Sequence, residues 1–317
     1  RIAMSADGSV IAVASNDSYI YEDDAEFYTS FLSLAGAVYV YRQESVFDYV
    51  YESTIRAPIA SKFGYFGTGV SLSADGNRLV VSTPNENGSG SGINPPIDDT
   101  LSNSGAVFVY DYDSGTSAWS SPVYIKTAAT KATYGFGSAV AISGDGLTIL
   151  AAARGDDSGA TGVNGDQEDT SKSNSGAAYV FKLVDGSWTE KEYLKSMNPE
   201  VEAGFGSEVA VNYDGTIFAV SEAYDTGFVK GVSSVYLDDG STSQTGAVYL
   251  FEYGEFSRLH SVSYVKPPSY PLPISGDFGR AIDLSDDGKT LAVSSGEEGS
   301  SGVGVSGSQE RDYSINT

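Results

Sequence analysis

One polar stretch of this 317-residue sequence, DDSGATGVNGDQEDTSKSNSG from Asp156 to Gly176, is rich in oxygen-bearing side chains. Asp156, Asp157, Asn164, Asp166, Glu168 and Asp169 crowd its first two-thirds. Hard oxygen donors grouped in this way suit Ca²⁺, which takes roughly six to eight of them. A bound cation would pin the loop. The spacing matches no EF-hand loop, so the stretch reads either as a Ca²⁺ site or as a solvated acidic edge. It calls for no other cofactor. Acids recur at a similar register elsewhere, at Asp98 and Asp99 and at Asp238 and Asp239, with Asp23 and Asp24 further upstream in the first part of the chain.

Signals for covalent or acid–base catalysis are poor. His260 is the only histidine and there is no cysteine. No G-x-S-x-G elbow occurs, and no Gly-rich segment carries a lysine in P-loop register. The acids sit in repeated loops and not at one place, so the expectation is a protein that is not an enzyme. A carboxylate-pair glycan hydrolase is the least favoured alternative. Arg154-Gly155-Asp156 spells an integrin-ligand tripeptide, read here as coincidence. Asn16-Asp17-Ser18 and Asn87-Gly88-Ser89 are glycosylation sequons, relevant in a eukaryotic secretory host.

The formal net charge is −24 and the sequence pI is about 4.1. Such a surface repels phosphate backbones, which argues against nucleic-acid partners. No apolar run is long enough to span a bilayer as a helix. The opening RIAMSADG reads as the start of a piece cut from a longer chain.

The elements that must position these residues form a repeat. Asp-Gly recurs at Asp7-Gly8, Asp75-Gly76, Asp145-Gly146, Asp214-Gly215 and Asp287-Gly288, at spacings of 68, 70, 69 and 73 residues. Phe-Gly recurs at Phe66-Gly67, Phe136-Gly137, Phe205-Gly206 and Phe278-Gly279. Gly-Ala opens an apolar run at Gly36, Gly105, Gly176 and Gly246. The units are 1–62, 63–132, 133–202, 203–274 and a partial 275–317. Each reads as four strands. An alternating strand A follows Phe-Gly, and an Asp-Gly hairpin leads into strand B. Strand C is apolar at every position and therefore covered on both faces. Strand D carries an aromatic and then an aliphatic residue six positions later: Tyr49/Ile55, Trp119/Ile125, Trp188/Leu194 and Phe256/Val262. Four-stranded antiparallel sheets buried on both faces and repeated in tandem predict an all-β fold, a β-propeller with about four and a half blades present.

The three marks together resemble the FG-GAP repeat family, which includes the integrin-α-like propeller, and are most similar to its microbial and algal members. That resemblance implies a β-propeller on an extracellular or cell-surface protein used in cell adhesion. Integrin-type blades often carry a calcium loop, D-x-D-x-D-G-x-x-D, between strands A and B. Here that connection is SADGN, SGDGL, NYDGT or SDDGK, too short to wrap a cation, so those sites do not carry over. The long connections are all between strands B and C. They crowd one face of the disc together with the Phe-Gly segments, and that face is the expected binding surface. The expected function is non-enzymatic binding of a cell-surface protein or glycan through the acidic loops. The alternative is a structural subunit of an extracellular filament, sheath or surface layer that assembles with copies of itself.

Overall fold

The computed structural model describes residues 1–17, 20–21, 31–32, 35–58, 64–227, 230–236, 244–267 and 278–295. It is an array of four antiparallel blades and the first hairpin of a fifth. Blade 1 pairs Ile2–Met4, Val10–Ser15, Ala37–Ser45 and Asp48–Ile55 in that order. Blade 2 follows with Val70–Leu72, Arg78–Thr83, Ala106–Asp113 and a divided fourth strand, Ala118–Trp119 and Val123–Ile125. Blade 3 is Phe136–Ile142, Thr148–Ala153, Ala177–Val184 and Ser187–Leu194. Blade 4 is Phe205–Val211, Ile217–Glu222, Ala247–Tyr253 and Leu259–Val265. Phe278–Leu284 and Leu291–Ser295 open the next. Strands are lettered A to D in chain order within each blade.

The core lies between blades. In strand C of blade 2, Ala106, Phe108 and Tyr110 pack toward blade 1, while Val107 and Val109 pack toward blade 3. In blade 3, Ala177, Tyr179 and Phe181 face blade 2, and Ala178 and Val180 face blade 4. The period of two along a strand buries both faces, which is why these runs are apolar throughout.

The Phe-Gly and Gly-Ala marks meet each other. The amide of Phe136 donates to the carbonyl of Ser104 at 3.0 Å, and that of Phe205 to Ser175 at 3.0 Å. Gly105 and Phe136, and Gly176 and Phe205, form parallel bridges between successive blades. A Cβ on Gly176 would collide with the Phe205 carbonyl oxygen, and Gly176 also holds φ at +83°. Each blade thus hooks onto the one before it through a backbone crossing that only glycine admits. The glycine of Phe-Gly is equally confined: a Cβ on Gly137 would lie 2.8 Å from the Ala106 carbonyl and from Ser82 Cβ. This explains why Ser82, Ala152 and Ser221 are small.

The Asp-Gly hairpins repeat one network. Ser143 Oγ donates to Asp145 Oδ1 at 2.5 Å, the Leu147 amide donates to the same oxygen at 2.9 Å, and the Thr148 amide donates to Ser143 Oγ. Ser5/Asp7, Ser73/Asp75, Asn212/Asp214 and Ser285/Asp287 do the same. Hydrogen bonds from the Ser9 amide and the Ser5 hydroxyl hold the Asp7 carboxyl down at about 2. Successive turns are tied by backbone bonds, Ala6 to Ala74, Ala74 to Gly144, Asp145 to Tyr213 and Tyr213 to Asp286. These carboxylates organise the hairpin and the ring of turns on one face.

One strand assignment needs correction. In blade 4 the pair matching Trp188/Leu194 is Leu259/Val265, not Phe256/Val262. A 3-10 turn at Glu255–Ser257 lengthens the C–D connection and takes up Phe256. Strand D carries a bulge at one register in blades 1, 3 and 4, and Val262 occupies it in blade 4. Glu52 and Lys191 occupy it in blades 1 and 3.

Candidate functional site

The six residues proposed as cation ligands do not converge. Asp156 is fully buried and binds Lys195 Nζ at 3.2 Å, the Tyr193 hydroxyl at 2.9 Å and the Tyr179 hydroxyl at 3.0 Å. Asp157 caps the Asn174 amide at 2.9 Å. Asn164 brackets strand D, accepting from the Tyr193 amide and donating to Glu192. Asp166 accepts from the Glu168 amide, and Glu168 pairs with Lys131 at 3.3 Å. Asp169 accepts from the Gly159 amide at 2.7 Å and from Ser171, contacts that lower its pKa, with the Ser171 hydroxyl the larger cause. Among the described residues no three carboxylate or imidazole groups are disposed to hold a metal ion.

The matching insert of blade 2 uses the same ties. Asp98 accepts from the Ser89 amide at 3.0 Å and from Thr100, and is held at about 2 by the Thr100 and Ser89 hydroxyls. Asp99 accepts from Asn87 Nδ2 at 2.8 Å, so that sequon asparagine is engaged within the loop, whereas Asn16 is exposed. Asp23, Asp24, Asp238 and Asp239 lie outside the described residues. The inserts also wrap the rim of their own blade. Ile93 bridges to Ile125, Val163 to Leu194, and Val232–Ser233 pairs with strand D of blade 4. This covers the end of an otherwise open edge strand. The acids of these loops satisfy backbone amides, and the loops are clips.

Sequence reasoning missed the groups those clips close over. Lys126, Lys195 and Lys266 stand directly after the last residue of strand D, at spacings of 69 and 71. Each is buried and paired with an acid just after strand B: Glu86 at 2.7 Å, Asp156 at 3.2 Å and Asp225 at 2.6 Å. Each also donates to the hydroxyl before the Gly-Ala mark, Ser104, Ser175 or Thr245. Tyrosines complete the set: Tyr124 in blade 2, Tyr179 and Tyr193 in blade 3, Tyr249 and Tyr264 in blade 4. Burial lowers the Lys195 pKa against the opposing pull of Asp156, and burial raises Tyr179 well above its ordinary value. Blade 4 adds a second buried acid, Glu222, raised well above its usual range by burial and then by Asp225. These buried nodes hold the insert to strands C and D. The recurring aliphatic–Lys pair was the signal for them. The buried Asp156 also shows that the Arg154-Gly155-Asp156 tripeptide cannot present its carboxylate.

The open site lies on the axis. A cavity of about 550 Å³ is lined by the residues that follow Phe-Gly, namely Thr68, Ser138, Ser207, Glu208 and Arg280, and by those that follow strand B, namely Pro84, Arg154 and Tyr224. It sits on the face that carries the B–C inserts. Arg1 also reaches it and binds Glu208 at 2.5 Å. The Arg154 amide donates to Ser138 Oγ at 3.2 Å, tying the two registers together. Three of the chain's eight arginines meet one glutamate here, in a chain whose net charge is −24. A concave wall of one sign focuses field onto the opposite charge, and guanidinium forks match carboxylates.

No family model matches the chain, and no curated protein does either. Among solved structures it is similar to a periplasmic gluconolactonase of Pseudomonas aeruginosa, with a TM-score of 0.48 and 15% identity over 92% of this chain and 63% of that one. It is also similar to the tricorn protease, with a TM-score of 0.40 and 12% identity over 93% of this chain and 24% of that one. The chain therefore spans less than two-thirds of either protein. At these identities the likeness concerns fold, and the blade order above carries the fold assignment by itself. One expectation is corrected: both proteins are enzymes by description, so the exclusion of catalysis read from the missing motifs does not stand. Among the described residues no helix is long and apolar enough to cross a membrane.

Proposed function

We propose that this β-propeller is a binding module that captures a carboxylate-bearing ligand in its axial basin, on an extracellular or cell-surface protein of FG-GAP type. The observation that carries the reading is the gathering of Arg1, Arg154 and Arg280 in one cavity of an acidic chain. The basin lies on the expected face, but its charge is opposite to that of the loops first credited with binding. The flanking hydroxyls of Thr68, Ser138 and Ser207 suit a polar, sugar-like body around the carboxylate. The FG-GAP kinship is supported by the roles of its marks, since Phe-Gly and Gly-Ala are the two halves of the inter-blade hook.

Calorimetry with galacturonate oligomers and with inorganic phosphate tests this. Binding of the uronate, weakened about tenfold or more by Arg154→Ala and again by Arg280→Ala, is expected, as loss of a charge-assisted contact predicts. Binding of phosphate alone would replace the carboxylate with a phosphoryl group as the ligand class. Equal affinity in wild type and both variants would overturn the basin as the site. Following the ligand by NMR in the same samples registers any turnover.

A further inference from the structure

A second cavity, of about 400 Å³, opens at the rim between the outer strands of blades 1 and 2, away from the axis. Its origin is local. Strand D of blade 2 is divided, and Pro122 takes the register at which the other blades carry their bulge residue. Proline lacks the amide that would continue the ladder and is tolerated at bulges. Trp119, just before the break, stands at the register of Trp188 in blade 3. Trp188 is 5% exposed, whereas Trp119 is only half-buried and lines the cavity.

The indole of Trp119 is fixed from both sides. Its Nε1 donates to Glu52 Oε1 at 2.8 Å, across the blade interface. Its ring packs on Tyr112 at 5.3 Å between centroids, and Arg42 lies 4.1 Å over Tyr112 while its Nε binds Glu52. Glu52 is the bulge residue of blade 1, and bulges re-aim side chains in this way. The rest of the wall is hydroxyl-rich, with Ser53, Thr54, Ser117 and Ser120. The Ser53 hydroxyl is buried and has no hydrogen-bond partner among the described residues.

We propose that this cleft binds a pyranose unit of a neutral glycan, its C–H face against Trp119 and its hydroxyls on the serine and threonine wall. A rigid, half-exposed aromatic offers a flat apolar platform at low entropic cost. The lining holds one carboxylate, Glu52, and one guanidinium, Arg56, so its formal charges cancel and favour neither an anion nor a cation. It lacks the continuous apolar wall that a hydrophobic peptide needs. The site is independent of the axial basin.

The chain holds only two tryptophans, so Trp188→Phe leaves Trp119 as the sole indole reporter. In that background, emission and acrylamide quenching are followed against cellohexaose, laminarihexaose, mannohexaose and xylohexaose. At least one is expected to shift the emission and protect the indole at millimolar concentration. Ala118→Arg places a long side chain at an exposed position of the wall and should weaken that binding about tenfold or more with an unchanged melting temperature. Arg154→Ala should leave it untouched, which separates this cleft from the basin. No response to any of the four glycans, or a response that survives Ala118→Arg, would overturn the proposal.

Discussion

Blades 2 and 3 carry the same marks, the same hairpin network and the same looped insert, yet they diverge at the rim. Near the axis, Gly105 and Gly176 accept the same backbone crossing, and Asp98 and Asp169 tie the same loop. At the outer strand, blade 3 runs unbroken from Ser187 to Leu194 over a buried Trp188, while blade 2 divides and leaves Trp119 facing a cavity. The difference teaches where a repeat of this kind is free to change. Inner strands are locked by neighbours on both sides, so they vary in side chains and keep their backbone path. Outer strands answer to one ladder only.

The largest expected effect is at the buried nodes, which differ in seal. Asp156 is 0% exposed, whereas the Glu86 side chain is 10% exposed. Removing one partner of a buried pair leaves an uncompensated charge, so Asp156→Ala should cost about 3–5 kcal/mol in urea denaturation. Glu86→Ala should cost less, because Glu86 is the less buried of the two acids. Replacing both members in blade 3, as Asp156→Leu with Lys195→Met, should recover most of the loss. Equal losses at the two acids would show that the seal of blade 3 has no energetic meaning.

Gly176→Ala and Gly105→Ala are expected to destabilise alike, by roughly 2 kcal/mol or more, since each sets a Cβ against backbone at positive φ. Unequal costs would break the claim that the hook is uniform along the array.

These glycines also show why so much of the fold was legible. A backbone crossing constrains residue type absolutely, so it leaves a mark at every period. Strand C was equally plain, because Val107 and Phe108 serve opposite cores and neither can be polar. The site was less legible. An aspartate that caps an amide, as Asp169 does, has the same letter as one that binds calcium. Lys195 was hidden because the Phe256/Val262 pairing placed the blade 4 register three residues early, away from Lys266. Arg154 and Arg280 come from different marks, one after strand B and one after Phe-Gly, and only the stacking of successive blades brings them to one wall.

Blade 4 sharpens the comparison through pH. Where blade 3 has Ala153 at the end of strand B, blade 4 has the buried Glu222. Its folded pKa lies above its unfolded value near 4.5, so its favourable contribution is complete below that value and is lost as pH rises toward the folded pKa. Glu222→Gln should therefore match wild type at pH 4 and exceed it by on the order of 1 kcal/mol or more at neutral pH, read from urea midpoints. A constant difference across that range would mean that Glu222 does not titrate out of step with the unfolded chain.

The smallest effect on stability is expected at the break itself. Pro122→Lys gives blade 2 the bulge residue of blade 3, Lys191, and restores the missing amide. The position is at the rim, so the change in stability should stay within about 0.5 kcal/mol. The consequence for the cleft is larger. With the ladder free to close between Trp119 and Val123, Trp119 should lose exposure and acrylamide quenching in the Trp188→Phe background should fall. Unchanged quenching would mean that proline records the opening without causing it. The Glu52 bulge of blade 1, gripping the indole from across the interface, would then be what holds the cleft apart.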